Sequence, residues 1–196
     1  PELGWGRYAN VLTSLQFERM LSASGPTRGH LVRPSDGKEP RRIAFIQCVG
    51  SRDEKHDYCS SVCCMYATKE AMLALEHAPG VECTIFQMDM RAFSKGFDAY
   101  YQRAQSLGVR YVRNRVSELK ENPATRDIHI RYAVDDGKVG EESFDLVVLS
   151  LGMEPPEDAQ VLSETLGIHL DGLGFCAPDP ALPVATNRPG IFACGT

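Results

Sequence analysis

The stretch Ile43-Ala-Phe-Ile-Gln-Cys-Val-Gly-Ser-Arg52 decides the fold. Ile43–Gln47 is a short, unbroken apolar run, the pattern of a strand covered on both faces in a parallel sheet. Helical spacing then begins near Ser60 and continues through Val62, Met65, Tyr66, Met72, Leu73 and Leu75 until Pro79-Gly80 stops it. Glu82–Met88 reads as a second strand. Phe93–Leu107 reads as a helix, with Phe93, Phe97, Tyr100, Tyr101 and Ala104 at helical spacing, and Val109–Val112 as a third strand. From Arg115 the pattern changes. Asp127–Val134 alternates polar with apolar side chains, Asp135-Asp136-Gly137-Lys138 is a hairpin turn, and Val139–Phe144 returns. Asp145–Ser150 is another buried strand, ending at Gly152. The expected class is α/β: a nucleotide-binding-domain-like parallel sheet with helices and an antiparallel β meander.

Outward from this core the signals weaken. Thr13-Ser14 with Gln16 supplies a helix start, and Leu15, Met20 and Leu21 are expected on one face. Residues 24–42 hold three prolines and three glycines and read as a linker. The tail 151–196 contains Pro155-Pro156, a helical piece near Ala159–Leu166 and a strand at Gly190–Cys194, and is expected to pack with residues 1–24 as a second, incomplete domain. A start without Met and an end at Gly195-Thr196 lead us to expect a piece excised from a longer protein.

Composition removes several classes. Of 196 residues 43% are hydrophobic and 24% charged, the make-up of a globular chain. The net charge of -5 gives no positive field to recommend a nucleic acid. No apolar run approaches the roughly 20 residues that span a bilayer, and the start has no signal-peptide pattern. The expected location is cytoplasmic, where a disulfide framework is unexpected.

Seven cysteines therefore need another account, and four of them, Cys48, Cys59, Cys63 and Cys64, fall within seventeen positions. Cys48 follows the first apolar strand, at the carboxyl edge where open α/β sheets bind ligands. Cys59, Cys63 and Cys64 lie where the next helix begins. If helical geometry starts early, Cys59 and Cys63 face the same way while Cys64 points roughly 100° away. The helix N-terminus, Arg52 and Lys55 all favour thiolates. An iron–sulfur cluster takes several thiolates at uneven spacings and suits this set best. Structural zinc prefers paired short spacings; a Cys59/Cys63 redox dithiol and plain packing are the other readings. Cys83, Cys176 and Cys194 are isolated and read as small buried side chains.

These residues carry a resemblance. Ile43-Ala-Phe-Ile-Gln-Cys-Val-Gly-Ser-Arg-Asp-Glu54 followed by Tyr58-Cys-Ser-Ser-Val-Cys-Cys-Met-Tyr-Ala67 resembles the heterodisulfide reductase HdrA-type flavoproteins. Asn10–Thr27 and Arg33-Pro-Ser-Asp36 resemble them too. The resemblance implies a thioredoxin-reductase-like flavoprotein of the FAD/NAD(P)-binding type, here represented by a fragment. Residues 1–40 would be a flanking segment of the FAD domain plus linker, 41–150 the inserted NAD(P)-binding-like domain, and 151–196 the return into the FAD domain. It implies a [4Fe–4S] cluster on Cys48, Cys59, Cys63 and Cys64, and FAD in the full-length protein, with Gly152, Gly195 and Thr196 in cofactor-binding segments. Implied partners are other heterodisulfide reductase-like subunits and ferredoxin or hydrogenase-type electron donors. The turn Cys48-Val-Gly-Ser-Arg52 lacks the Gly-x-Gly-x-x-Gly that lets a backbone approach a pyrophosphate, so direct NAD(P)H binding is not expected. A pyridine-nucleotide-disulfide reductase using Cys59 and Cys63, or a non-catalytic docking domain, are the alternatives.

Overall fold

A computed structural model describes residues 2–134 and 138–194. Two compact units are present, Pro1–Gly152 and Met153–Thr196. The first is built on a five-stranded, all-parallel sheet in the order β1-β8-β2-β3-β4, beside a separate three-stranded antiparallel sheet β5-β6-β7. The parallel strands are β1 (Val11–Thr13), β2 (Arg42–Val49), β3 (Glu82–Gln87), β4 (Arg110–Arg113) and β8 (Leu146–Leu151); the meander is β5 (Val116–Glu121), β6 (Ile128–Ala133) and β7 (Val139–Phe144). Helices α1 (Ser14–Leu21), α2 (Cys63–His77) and α3 (Phe97–Ser106) complete this unit, and α4 (Ala159–Leu166) lies in the second.

The central strands are apolar because both of their faces are covered. One face carries Ile43, Phe45, Cys83, Ile85, Leu146 and Val148 against Phe17 and Met20 of α1 and Ala67, Ala71 and Ala74 of α2. The alanines let α2 lie close to the sheet. The other face carries Ala44, Ile46, Phe86, Val147 and Leu149 against Leu119, Ile128, Ile130 and Phe144 of the meander. Helix α1 starts with a complete capping box: the Gln16 N–H donates to Thr13 Oγ1 at 3.3 Å, and the Thr13 N–H to Gln16 Oε1 at 2.9 Å. Arg33 ties the preceding loop to this frame, donating to Asp127 at 3.0 Å and to the Thr125 carbonyl at 2.6 Å, with Asp36 and Asp145 at 3.4 and 3.7 Å.

β1 pairs with β8, so residues 11–21 lie in the first unit. Several expectations about single elements are corrected. Leu15 is 78% exposed, and Phe17 takes its place on the buried face of α1. Helix α3 starts at Phe97, behind the left-handed Gly96, which leaves Phe93 outside it. β1 and β5 are additional strands. Both are short or polar, so neither shows an apolar signal. The tail has no strand at Gly190–Cys194; Phe192 makes a single bridge to Ala185, and Cys194 is exposed. The hairpin turn at Asp135-Asp136-Gly137 lies outside the described residues, as do Gly195 and Thr196.

Candidate functional site

The cysteines gather at the carboxyl edge of the parallel sheet. Cys48 sits near the end of β2, where the register with β8 shifts between Ile46 and Val49. It adopts a left-handed backbone, φ 60°, as do Gly50 and Arg52 at 76° and 56°. Left-handed non-glycine residues cost of order 1 kcal/mol or more each and recur at functional sites. Gly152 closes the turn from below: its N–H donates to the Val49 carbonyl at 2.6 Å, and a Cβ there would lie 2.6 Å from the Gly50 carbonyl oxygen. Cys63 and Cys64 are the first two residues of α2, and both are buried. Cys59 precedes the helix, so it is not one turn from Cys63. Ser61 at φ 62° stops helical geometry upstream.

Three of the four thiols influence one another electrostatically, with Cys63 acting on both Cys48 and Cys64. Cys63 is the chief reason the Cys48 thiol is lowered to about 7, with Arg52 adding positive charge. Cys64 is lowered by Cys63 and then by the Arg91 backbone N–H. Cys63 itself is raised by both neighbours and by its burial. Cys64 Sγ also points at the Asp89 carbonyl, 3.8 Å away. Cys59 stands apart on its loop, where its sulfur accepts the Ser61 N–H at 3.3 Å. All seven cysteines are free thiols. Burial pushes Cys83 up to about 12, while Cys176 is only half-buried.

Residues outside the cysteine motif complete the edge. Asp89 and Arg91 follow β3; Asp89 pairs with Arg52 and with Arg91, the latter at 3.1 Å through both Nε and Nη2. Gln47, Gln87 and Ser150 lie near the carboxyl ends of the neighbouring strands β2, β3 and β8, each one residue past the register partners Ile46, Phe86 and Leu149. All three are buried, and both amide atoms of Gln47, Gln87 Oε1 and Ser150 Oγ have no hydrogen-bond partner among the described residues. Buried polar atoms left unpaired cost roughly 1–3 kcal/mol each. On the meander side a cavity of ≈ 340 Å³ reaches Cys48, Gly50, Asn114 and Arg115.

Among the described residues no group of three or more His, Cys, Asp or Glu side chains has a metal-holding geometry. The donor set itself, four sulfurs beside two guanidiniums and unpaired buried amides, fits an anionic, sulfur-ligated group.

Residues 63–196 match the model of the pyridine nucleotide-disulphide oxidoreductases. The chain belongs to that family. Cys63 and Cys64 open the matched segment, and Cys48 and Cys59 precede it. Within the pyridine nucleotide-disulphide oxidoreductases the chain is a partial homologue of the HdrA proteins of heterodisulfide reductases. It is 50% identical to the second of the CoB--CoM heterodisulfide reductase iron-sulfur HdrA proteins of Methanopyrus kandleri, over 99% of this chain and 30% of that protein. It is 45% identical to the HdrA protein of the H(2):CoB-CoM heterodisulfide,ferredoxin reductase of Methanothermobacter marburgensis, again over 99% and 30%. The chain thus spans less than a third of the length of these relatives. Among solved structures, thioredoxin reductase of T. acidophilum superposes with a TM-score of 0.53 at 14% identity, covering 96% of this chain and 49% of that one. The Lactococcus lactis enzyme gives 0.50 at 23%, over 79% and 43%. The fold is thioredoxin-reductase-like, as the resemblance implied, and α/β, as the alternation of strands and helices led us to expect.

Proposed function

We propose that this chain is the cysteine-bearing α/β part of an HdrA-type flavoprotein of heterodisulfide reductase, and that Cys48, Cys59, Cys63 and Cys64 hold a [4Fe–4S] cluster. The observation that carries the reading is the placement of three buried cysteines, Cys48 near the end of β2 and Cys63 and Cys64 at the start of α2, at the carboxyl edge of the parallel sheet, where a nucleotide-binding relative would place its phosphate loop. When bound, such a cluster supplies one-electron transfer. The chain's own residues prepare the site. The left-handed turn at Cys48 turns its sulfur toward the start of α2. The helix N-terminus and Arg52 favour loss of the thiol protons that ligation requires. Gly152 keeps the turn seated against β8. In this reading FAD resides in the full-length protein, residues 1–40 are a flanking segment of its FAD domain plus linker and 151–196 the return into that domain, and electrons pass between flavin, cluster and partner subunits of heterodisulfide reductase, ferredoxin or hydrogenase type. The thiolates are ligands, not nucleophiles.

Anaerobic reconstitution with iron and sulfide tests this. We expect about four irons and four acid-labile sulfides per chain, with loss in each of Cys48→Ser, Cys59→Ser, Cys63→Ser and Cys64→Ser. Retention of no iron, together with Cys59 and Cys63 titrating as a reversible disulfide, would replace the cluster by a dithiol reductase.

A further inference from the structure

The Asp89 carboxylate holds two cations in place at the edge of the cysteine site. Both Nη atoms of Arg52 reach it, one of them in close contact and the other at 3.4 Å from Oδ2, and Arg91 meets it through Nε and Nη2 at 3.1 Å. The two guanidiniums address different sulfurs. The array stands beside the thiols, since Cys64 Sγ lies 3.8 Å from the Asp89 carbonyl; Arg52 favours the Cys48 thiolate, and Arg91 interacts electrostatically with Cys59 and Cys64. The side chains of Arg52, Asp89 and Arg91 are only 22%, 37% and 35% exposed, so water screens this array incompletely. One carboxylate between two guanidiniums leaves a net charge of +1 facing the thiols. A free arginine at such an edge would spread over many rotamers, and the shared carboxylate removes that freedom.

We infer that Asp89 is a positioning residue that clamps Arg52 and Arg91 against the cysteine site, so that the two cations set how readily a group held there accepts an electron. The inference rests on the cluster reading above and adds a residue outside the cysteine motif to it. A fixed cation near a redox centre favours the reduced, more negative form. Removing it disfavours reduction, and removing the clamp makes that cation dispensable.

The experiment is a redox titration, followed spectroscopically, of the anaerobically reconstituted chain and of Arg52→Gln, Arg91→Gln, Arg52→Lys, Asp89→Asn and the Arg52→Gln/Asp89→Asn double variant, each checked for iron content. We expect Arg52→Gln and Arg91→Gln each to lower the reduced-to-oxidised ratio at fixed potential about tenfold, equivalent to about 59 mV for one electron. Arg52→Lys should recover part of the shift, because it restores charge without the fork. In the Asp89→Asn background the effect of Arg52→Gln should shrink by more than half. Full iron content with unmoved potentials, or strict additivity of Arg52→Gln and Asp89→Asn, would overturn the clamp and leave the cluster reading intact. Absence of iron in the unsubstituted chain would overturn both.

Discussion

Glu70 is the most constrained titratable residue away from the cysteines. It is 2% exposed on α2, its Oε2 has no hydrogen-bond partner among the described residues, and burial, with Glu18 nearby, pushes its carboxyl up to about 8. The folded state therefore keeps a proton that the unfolded chain releases at the ordinary carboxyl value. The stabilisation is complete below that ordinary value and is lost as pH rises through the folded one. Urea melts should show Glu70→Gln gaining on the unsubstituted chain from about pH 5 to about pH 8, by up to about 1.4 kcal/mol per pH unit; a pH-independent difference would contradict the assignment. Arg33 poses the opposite case, a buried cation surrounded by Asp36, Asp127 and Asp145. Arg33→Ala leaves those carboxylates without their partner and should cost about 3–5 kcal/mol in the same melts, whereas an effect under about 1 kcal/mol would show the pairs to be solvated. The Arg33-Pro-Ser-Asp36 motif that helped the sequence resemblance thus has a structural use in this unit.

At the scale of elements, legibility followed burial. Strands β2, β3 and β8 and helix α2 were readable because covering on both faces of a sheet forces continuous apolar runs. The start of α1 was readable because Thr13 and Gln16 are a capping pair. Thr13→Ala should cost about 1 kcal/mol of stability, and no change in the melting midpoint would mean that the box contributes nothing net. β1 escaped notice because three residues carry no period. β5 did so because its side chains, apart from Leu119, are half-buried or exposed. The start of α2 was placed too early because the apolar spacing from Ser60 ignores Ser61, whose left-handed backbone no periodicity records. Of the candidate site, the four cysteines were visible from their spacing. Asp89, Arg91 and the buried Gln47, Gln87 and Ser150 were not, because strand pairing assembles them from separate segments. Gly152 was legible as a strand end, and the structure adds that the Gly50 carbonyl leaves no room for a Cβ. Gly152→Ala should displace the Cys48 turn, costing about 1–3 kcal/mol and reducing iron uptake; an alanine variant that takes up iron normally would show that the turn yields.

For the molecule as a whole, one sheet edge explains the arrangement. Parallel strands end together, so Cys48, Asp89 and Ser150 lie along one edge although they are far apart in sequence, and α2 brings Cys63 and Cys64 to the same edge. A phosphate-binding relative needs glycines at this turn for close backbone approach. Here the turn carries a cysteine and an arginine, which suits a sulfur-bound anionic group. The second unit, Met153–Thr196, has little regular structure beyond α4 and exposes Val161, Leu162, Leu182 and Phe192. Its sequence accordingly reads as loops with one helix. The central claim is that the four clustered cysteines act together on one cofactor. Its most direct test is iron and sulfide analysis of the anaerobically reconstituted chain beside Cys48→Ser, because Cys48 belongs to the cluster reading and to no Cys59/Cys63 dithiol. We expect about four irons and four sulfides in the unsubstituted chain and their loss in the variant. Equal iron in both, or none in either, would contradict the account.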